Sequence, residues 1–135
     1  MSEPIYVIVA RRTAWWPVPF AVPAQDDPGY VIEQKIDLKF AFIDDDALGA
    51  LAAKANGIDG RQGADAPSAS EASAEVYMAI VTDWRGVGGP DGKPLAFNKT
   101  NFASLLASLP GFEMRWLLPA YQACIAGEGE IRKGN

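Results

Sequence analysis

The chain has no histidine and a single cysteine among its 135 residues. Without an imidazole there is no Ser-His-Asp or Cys-His nucleophile, no imidazole proton shuttle and no His-ligated zinc or haem. One thiol builds neither a thiolate metal site nor an intramolecular disulfide, so Cys124 fits a reducing compartment better than a stapled secreted fold. Cations are scarce too, with 12 Lys and Arg against 17 Asp and Glu and a net charge of −5. That deficit argues against nucleic acid as a partner, because phosphate binding rests on clustered Lys and Arg. Long apolar runs are also missing. The stretch Ala14 to Ala24 is short of the ~20 residues of a spanning helix and is broken by Pro17, Pro19 and Pro23, so no membrane span is expected. Ser2-Glu3 ahead of the apolar run Ile5 to Ala10 supplies no basic segment, so no secretory signal is expected either.

What is present is an ordinary globular composition, 49% hydrophobic and 21% charged, on a chain whose length suits one domain over residues 1–135. Residues 1–42 read as strands. Ile5 to Val9 is a β-branched run that suits a strand buried on both faces or shielded by a partner. In Trp16, Val18, Phe20 and Val22 the large apolar residues share one parity with Pro17 and Pro19 between them, which predicts an edge strand or an extended arm. After the turn at Asp27-Pro28-Gly29, Ile32, Ile36, Leu38, Phe40 and Phe42 alternate with Lys35, Asp37 and Lys39, the clearest strand pattern in the chain.

Residues 43–127 read as helices. Asp44-Asp45-Asp46 ahead of Ala47, Leu48, Leu51 and Ala55, with Asn56-Gly57 behind, predicts a capped helix. Gly57 to Ser70 reads as a flexible loop. Ser68 and Glu71 fit a capping box for a second helix carrying Val76, Tyr77, Ile80, Val81 and Trp84. Asn98 caps a third, with Phe102, Leu105, Leu106 and Leu109. A fourth, from about Gly111 to Ala126, turns Phe112, Trp116, Ala120, Tyr121, Cys124 and Ile125 inward and kinks at Pro119. Residues 128–135 read as a disordered tail. The expected fold is α+β: an antiparallel meander of about three strands covered by about four helices.

Candidate chemistry is thin, and no catalytic, cofactor-binding or metal-ligating residue is assigned. Consecutive aspartates 44–46 point in different directions and suit a helix start better than a cation. The loop Gly88-Gly89-Pro90-Asp91-Gly92 lacks the phosphate-loop spacing, and Lys93 is followed by Pro94. Cys124 sits on an inward helix face with no basic neighbour, and Glu113, Glu128 and Glu130 form no defined acid–base pair. Trp15-Trp16 among three prolines is the feature hardest to bury. Either one indole packs on the core while the other is half-exposed, or Trp15, Trp16 and Phe20 anchor a partner protein.

Asp83-Trp84-Arg85-Gly86-Val87, followed by Asp91-Gly92-Lys93-Pro94-Leu95-Ala96-Phe97-Asn98, resembles a pattern of the tail assembly chaperones of long-tailed bacteriophages and prophages. In that family a helix ends in Trp-x-Gly-Val, a turn with Asp-Gly-x-Pro follows, and a Phe precedes the cap of the next helix. The motif residues here are Trp84, Gly86, Val87, Asp91, Gly92, Pro94, Phe97 and Asn98, read mainly as structural punctuation. Trp-x-Val-x-Phe at Trp16 to Phe20 and the acidic helix start are similar to the family as well; Gly88-Gly89 and the loop from Gly57 to Ser70 depart from it. The resemblance implies a non-enzymatic protein of the host cytoplasm, absent from the mature virion and without a cofactor. Its partners would be the tape-measure protein and tail-tube subunits. The competing expectation is a virion structural protein such as a tail-completion or head–tail joining component.

Overall fold

A computed structural model describes residues 6–9, 11–57 and 69–129. Two strands, β1 (Thr13–Pro23) and β2 (Val31–Ala41), form a long antiparallel hairpin, in register from Thr13–Ala41 to Pro23–Val31. The Phe42 amide donates to the Arg12 carbonyl and the Ala24 amide to the Tyr30 carbonyl, both at 2.8 Å. Antiparallel ladders alternate bonded and outward positions, so even-numbered residues bond across the hairpin and odd-numbered ones point their backbone groups away. Pro17, Pro19 and Pro23 are all odd, which puts their missing N–H groups on the edge away from β2. β1 is therefore the edge strand its prolines demand.

The third strand is not the one the N-terminal run suggests. Tyr6 to Val9 are exposed and outside any strand, while Ile5 lies outside the described residues. Instead β3 (Val81–Arg85) pairs with β2 through Asp37–Arg85 and Leu38–Trp84, giving the sheet order β1-β2-β3. This segment reads as helix in the sequence because Val81 and Trp84, three apart, are both buried. A β-bulge produces that spacing. Asp83 opposes Lys39 and Val81 opposes Phe40, so Thr82 is an extra residue that returns Val81 to the core face. The preceding helix, α1 (Asp45–Asn56), and the next, α2 (Ala69–Tyr77), lie between β2 and β3 in the chain. Asp44 caps α1, its Oδ1 accepting the Ala47 N–H at 2.8 Å. Ser68, the expected cap of α2, and most of the expected loop, 58–68, lie outside the described residues.

After β3 the motif segment folds back on itself. Gly86 takes φ +92°, a left-handed conformation that costs other residues energy, and the chain then turns through Asp91 and Gly92. The Leu95 amide donates to the Val87 carbonyl at 3.0 Å, and Asn98 caps α3 (Lys99–Ser108) by accepting the Asn101 N–H at 2.8 Å. Trp84 therefore closes a strand here, where the resembled pattern has it closing a helix. Its indole N–H donates to the Leu95 carbonyl at 2.8 Å, and its ring meets Phe97 edge-on at 5.2 Å and Phe102 at 6.3 Å. The motif thus gathers into one aromatic cluster, a role of packing and hydrogen bonding.

The last helical stretch is two pieces. A π-helical turn, Glu113–Leu117, leads into α4 (Leu118–Ala126), and the Leu118 N–H reaches back five residues to the Glu113 carbonyl. The wider turn lets Phe112 and Leu117, five apart and both 0% exposed, face the core together. Pro119, which cannot donate an N–H, stands at the start of α4 directly after this turn. α4 ends at Gly127 with the Glu128 amide bonded to the Ala123 carbonyl at 3.0 Å; of the expected tail, residues 130–135 lie outside the described residues.

The result is an α+β fold in which one face of a three-stranded antiparallel sheet buries Val18, Ile36, Leu38 and Phe40 under the helices. The Tyr121 hydroxyl ties α4 to the end of β2, donating to the Ala41 carbonyl and accepting the Ile43 N–H, each at 3.2 Å. No helix among the described residues is long and apolar enough to cross a membrane.

Candidate protein-binding groove

The parity of β1 separates the three aromatic residues expected at a binding surface. Phe20 shares its parity with Val18 and points inward, 9% exposed, with its ring edge-on to Phe112 at 5.5 Å. It is spent on the core and offers a partner almost nothing. Trp15 has the opposite parity and lies half-buried on the outer face of the sheet, capped by Arg85 at 3.8 Å from its ring centre and flanked by Lys39 at 6.0 Å. Trp16 points to the helix side but sits near the margin, packed against the core and still partly accessible.

Trp16 has a counterpart that sequence reasoning assigns to the core. Helical spacing predicts Trp116 inward, one position in the series Phe112, Trp116, Ala120. The π-helical turn shifts that phase, buries Leu117 in its place and leaves Trp116 half-buried; Ile125, also expected inward, is 40% exposed. The displaced indole and Trp16 line one cleft of about 1000 Å³ between β1 and the π-turn with α4. Pro17, Pro19, Pro119, Ala120 and Ala123 add apolar wall, while Lys35, Arg115 and Glu128 bring charge. Gly129 closes one end against Trp16, where a Cβ would stand 2.8 Å from the indole Cη2. Trp116, Arg115 and Pro119 could not be found from sequence spacing, since they meet Trp16 only through the tertiary packing of α4 on β1. A partial signal existed: Pro119 inside an apolar helical pattern marks a disturbed helix, and π-turns recur at functional sites.

The titratable groups elsewhere are arranged for packing. Burial pushes the Cys124 thiol above its usual range, which favours the protonated form. Burial raises the Tyr77 and Glu113 pKa values; the charge of Glu113 raises Tyr77 further, and a backbone hydrogen bond partly offsets the rise at Glu113. Tyr77 donates its hydroxyl to the Met114 sulfur at 3.9 Å. Asp44 is used in the α1 cap through Oδ1, and no cluster of three or more metal-ligating side chains occurs among the described residues. The groove sets two indoles beside apolar wall, with two cations, Lys35 and Arg115, and one carboxylate, Glu128, along it.

No family model matches the chain, and neither a curated protein nor a solved structure does.

Proposed function

We propose that this chain is a non-enzymatic protein-binding domain of the tail-assembly-chaperone kind. In this reading it holds an apolar segment of a phage tape-measure protein and brings tail-tube subunits to it in the host cytoplasm, and it is absent from the mature virion. The observation that carries the reading is the groove. Two half-buried indoles with three prolines around them form a binding surface of the composition that protein interfaces favour, and Lys35 and Arg115 select an acidic or amphipathic segment. The segment from Trp84 to Asn98 shares its glycine, reversing turn and Asn cap with the pattern that names the partner class, and departs from it in that Trp84 closes a strand and not a helix. A net charge of −5 suits a carrier that must keep an aggregation-prone apolar client dispersed.

The test is co-expression with a phage tape-measure protein. A soluble complex is expected from the native chain, and loss of that complex from Trp116→Ala combined with Arg115→Glu while the variant stays folded. A tape-measure protein that stays insoluble with the chain present sinks the reading, as does a complex indifferent to the groove variant. Recovery of the chain in finished particles would favour a tail-completion or head–tail joining component instead.

A further inference from the structure

Beyond the groove, we propose that the N-terminal run of one copy adds as a strand to the free edge of β2 in a second copy. The edge follows from the register. Odd-numbered residues of β2 turn their backbone groups away from β1. Asp37 and Lys39 meet β3 there, and the Ala41 amide donates to the Ile80 carbonyl at 2.8 Å. Val31, Glu33 and Lys35 have no strand opposite them among the described residues, because β3 turns off at Gly86 beside Lys35 and Ile36. This stretch contains no proline, and Tyr30, Val31 and Ile32 are 73%, 64% and 49% exposed around it. Exposed, free of proline and apolar over Tyr30 to Ile32, it is a template for one more strand.

The incoming strand is already in the sequence. Ile5 to Val9 is a run of aromatic and β-branched residues; of its described part, Tyr6 to Val9, Ile8 is 87% exposed and none pairs with a strand, while Tyr6 folds back on Arg12, whose guanidinium donates to its hydroxyl at 3.2 Å and lies 5.3 Å from its ring, a contact the added strand would release. Every position is apolar, so an added strand would present apolar side chains to both faces, matching Ile32 on the helix side and Val31 on the outer side.

Reach decides whose edge it meets. Arg12 is held beside Phe42 by their 2.8 Å hydrogen bond. Val7, at the middle of the run, lies five residues before Arg12 and extends at most about 18 Å from it. Glu33, at the middle of the edge, lies nine residues before Phe42 along a paired strand, about 30 Å away. The run cannot lie along the edge of its own chain, so the edge it fills belongs to another copy.

The experiment is sedimentation velocity on the full chain over a range of concentrations. The native chain self-associates, whereas Ile8→Asp, outside the core, and Glu33→Pro, which removes an outward N–H, each sediment as monomers with native circular dichroism. Val31→Lys serves in place of Glu33→Pro if the latter fails to fold. An equimolar mixture of the arm variant and the edge variant restores a one-to-one complex, because each supplies what the other lacks. A native chain that is monomeric throughout, an association that survives both substitutions, or a mixture that forms no complex overturns the proposal.

Discussion

The Arg85 guanidinium lies 3.8 Å from the centre of the Trp15 ring, reaching diagonally across β2 from the far strand of the sheet. The two residues clamp the three strands on the outer face. The contact also explains why an indole of outward parity is only half-exposed: it is roofed by a cation that Asp37 approaches on the same face, at 3.9 Å.

Arg85→Ala and Trp15→Ala, combined in a double-mutant cycle on urea unfolding, are expected to show a coupling of about 0.5–1 kcal/mol, the range for exposed cation–π pairs. The Arg85–Asp37 pair is too solvated to supply that coupling by itself. Strictly additive effects of the two substitutions would remove the clamp from the account.

Trp84→Phe separates ring packing from the indole hydrogen bond. The Phe ring keeps much of the contact with Phe97 and Phe102 but leaves the Leu95 carbonyl without its donor. The expected loss is about 1–2 kcal/mol, against about 3–5 kcal/mol for Trp84→Ala. Equal stability of the native and Phe forms in chemical denaturation would show that the Leu95 contact does not brace the loop.

Glu113 gives a pH signature whose sign follows from its raised pKa. The neutral carboxyl is favoured in the fold because burial penalises the charged one. Its contribution is therefore intact below the ordinary glutamate range and is lost as pH rises through the elevated folded value. Glu113→Gln removes the penalty. Thermal melts should find the variant more stable than the native chain at neutral pH, with the difference closing below about pH 4. A variant that is less stable at neutral pH contradicts the assignment.

Much of the fold was legible in the sequence wherever one local rule acted alone. The parity of Ile36, Leu38 and Phe40 marked β2, and Asp44 and Asn98 marked the starts of α1 and α3 through side-chain bonds that are made as expected. Reading failed where an inserted residue changed the period. The bulge at Thr82 made a strand look helical, and the π-helical turn made Trp116 look buried. The N-terminal run misled for a different reason: β-branched composition signals the wish for a partner strand without saying where that strand is. In the site, Trp16 was legible from its crowding by prolines. Phe20 is buried, as its parity with Val18 places it, while Arg115 and Trp116 depend on packing that no local pattern encodes.

The outward prolines of β1 have a consequence for assembly as a whole. Endless stacking of sheets into a fibre needs every copy to offer two templating edges. Pro17, Pro19 and Pro23 take donors from one edge of this sheet, leaving only the β2 side able to recruit. Edge-to-edge stacking of whole sheets is therefore blocked on the β1 side, and copies can join only through what the β2 side accepts.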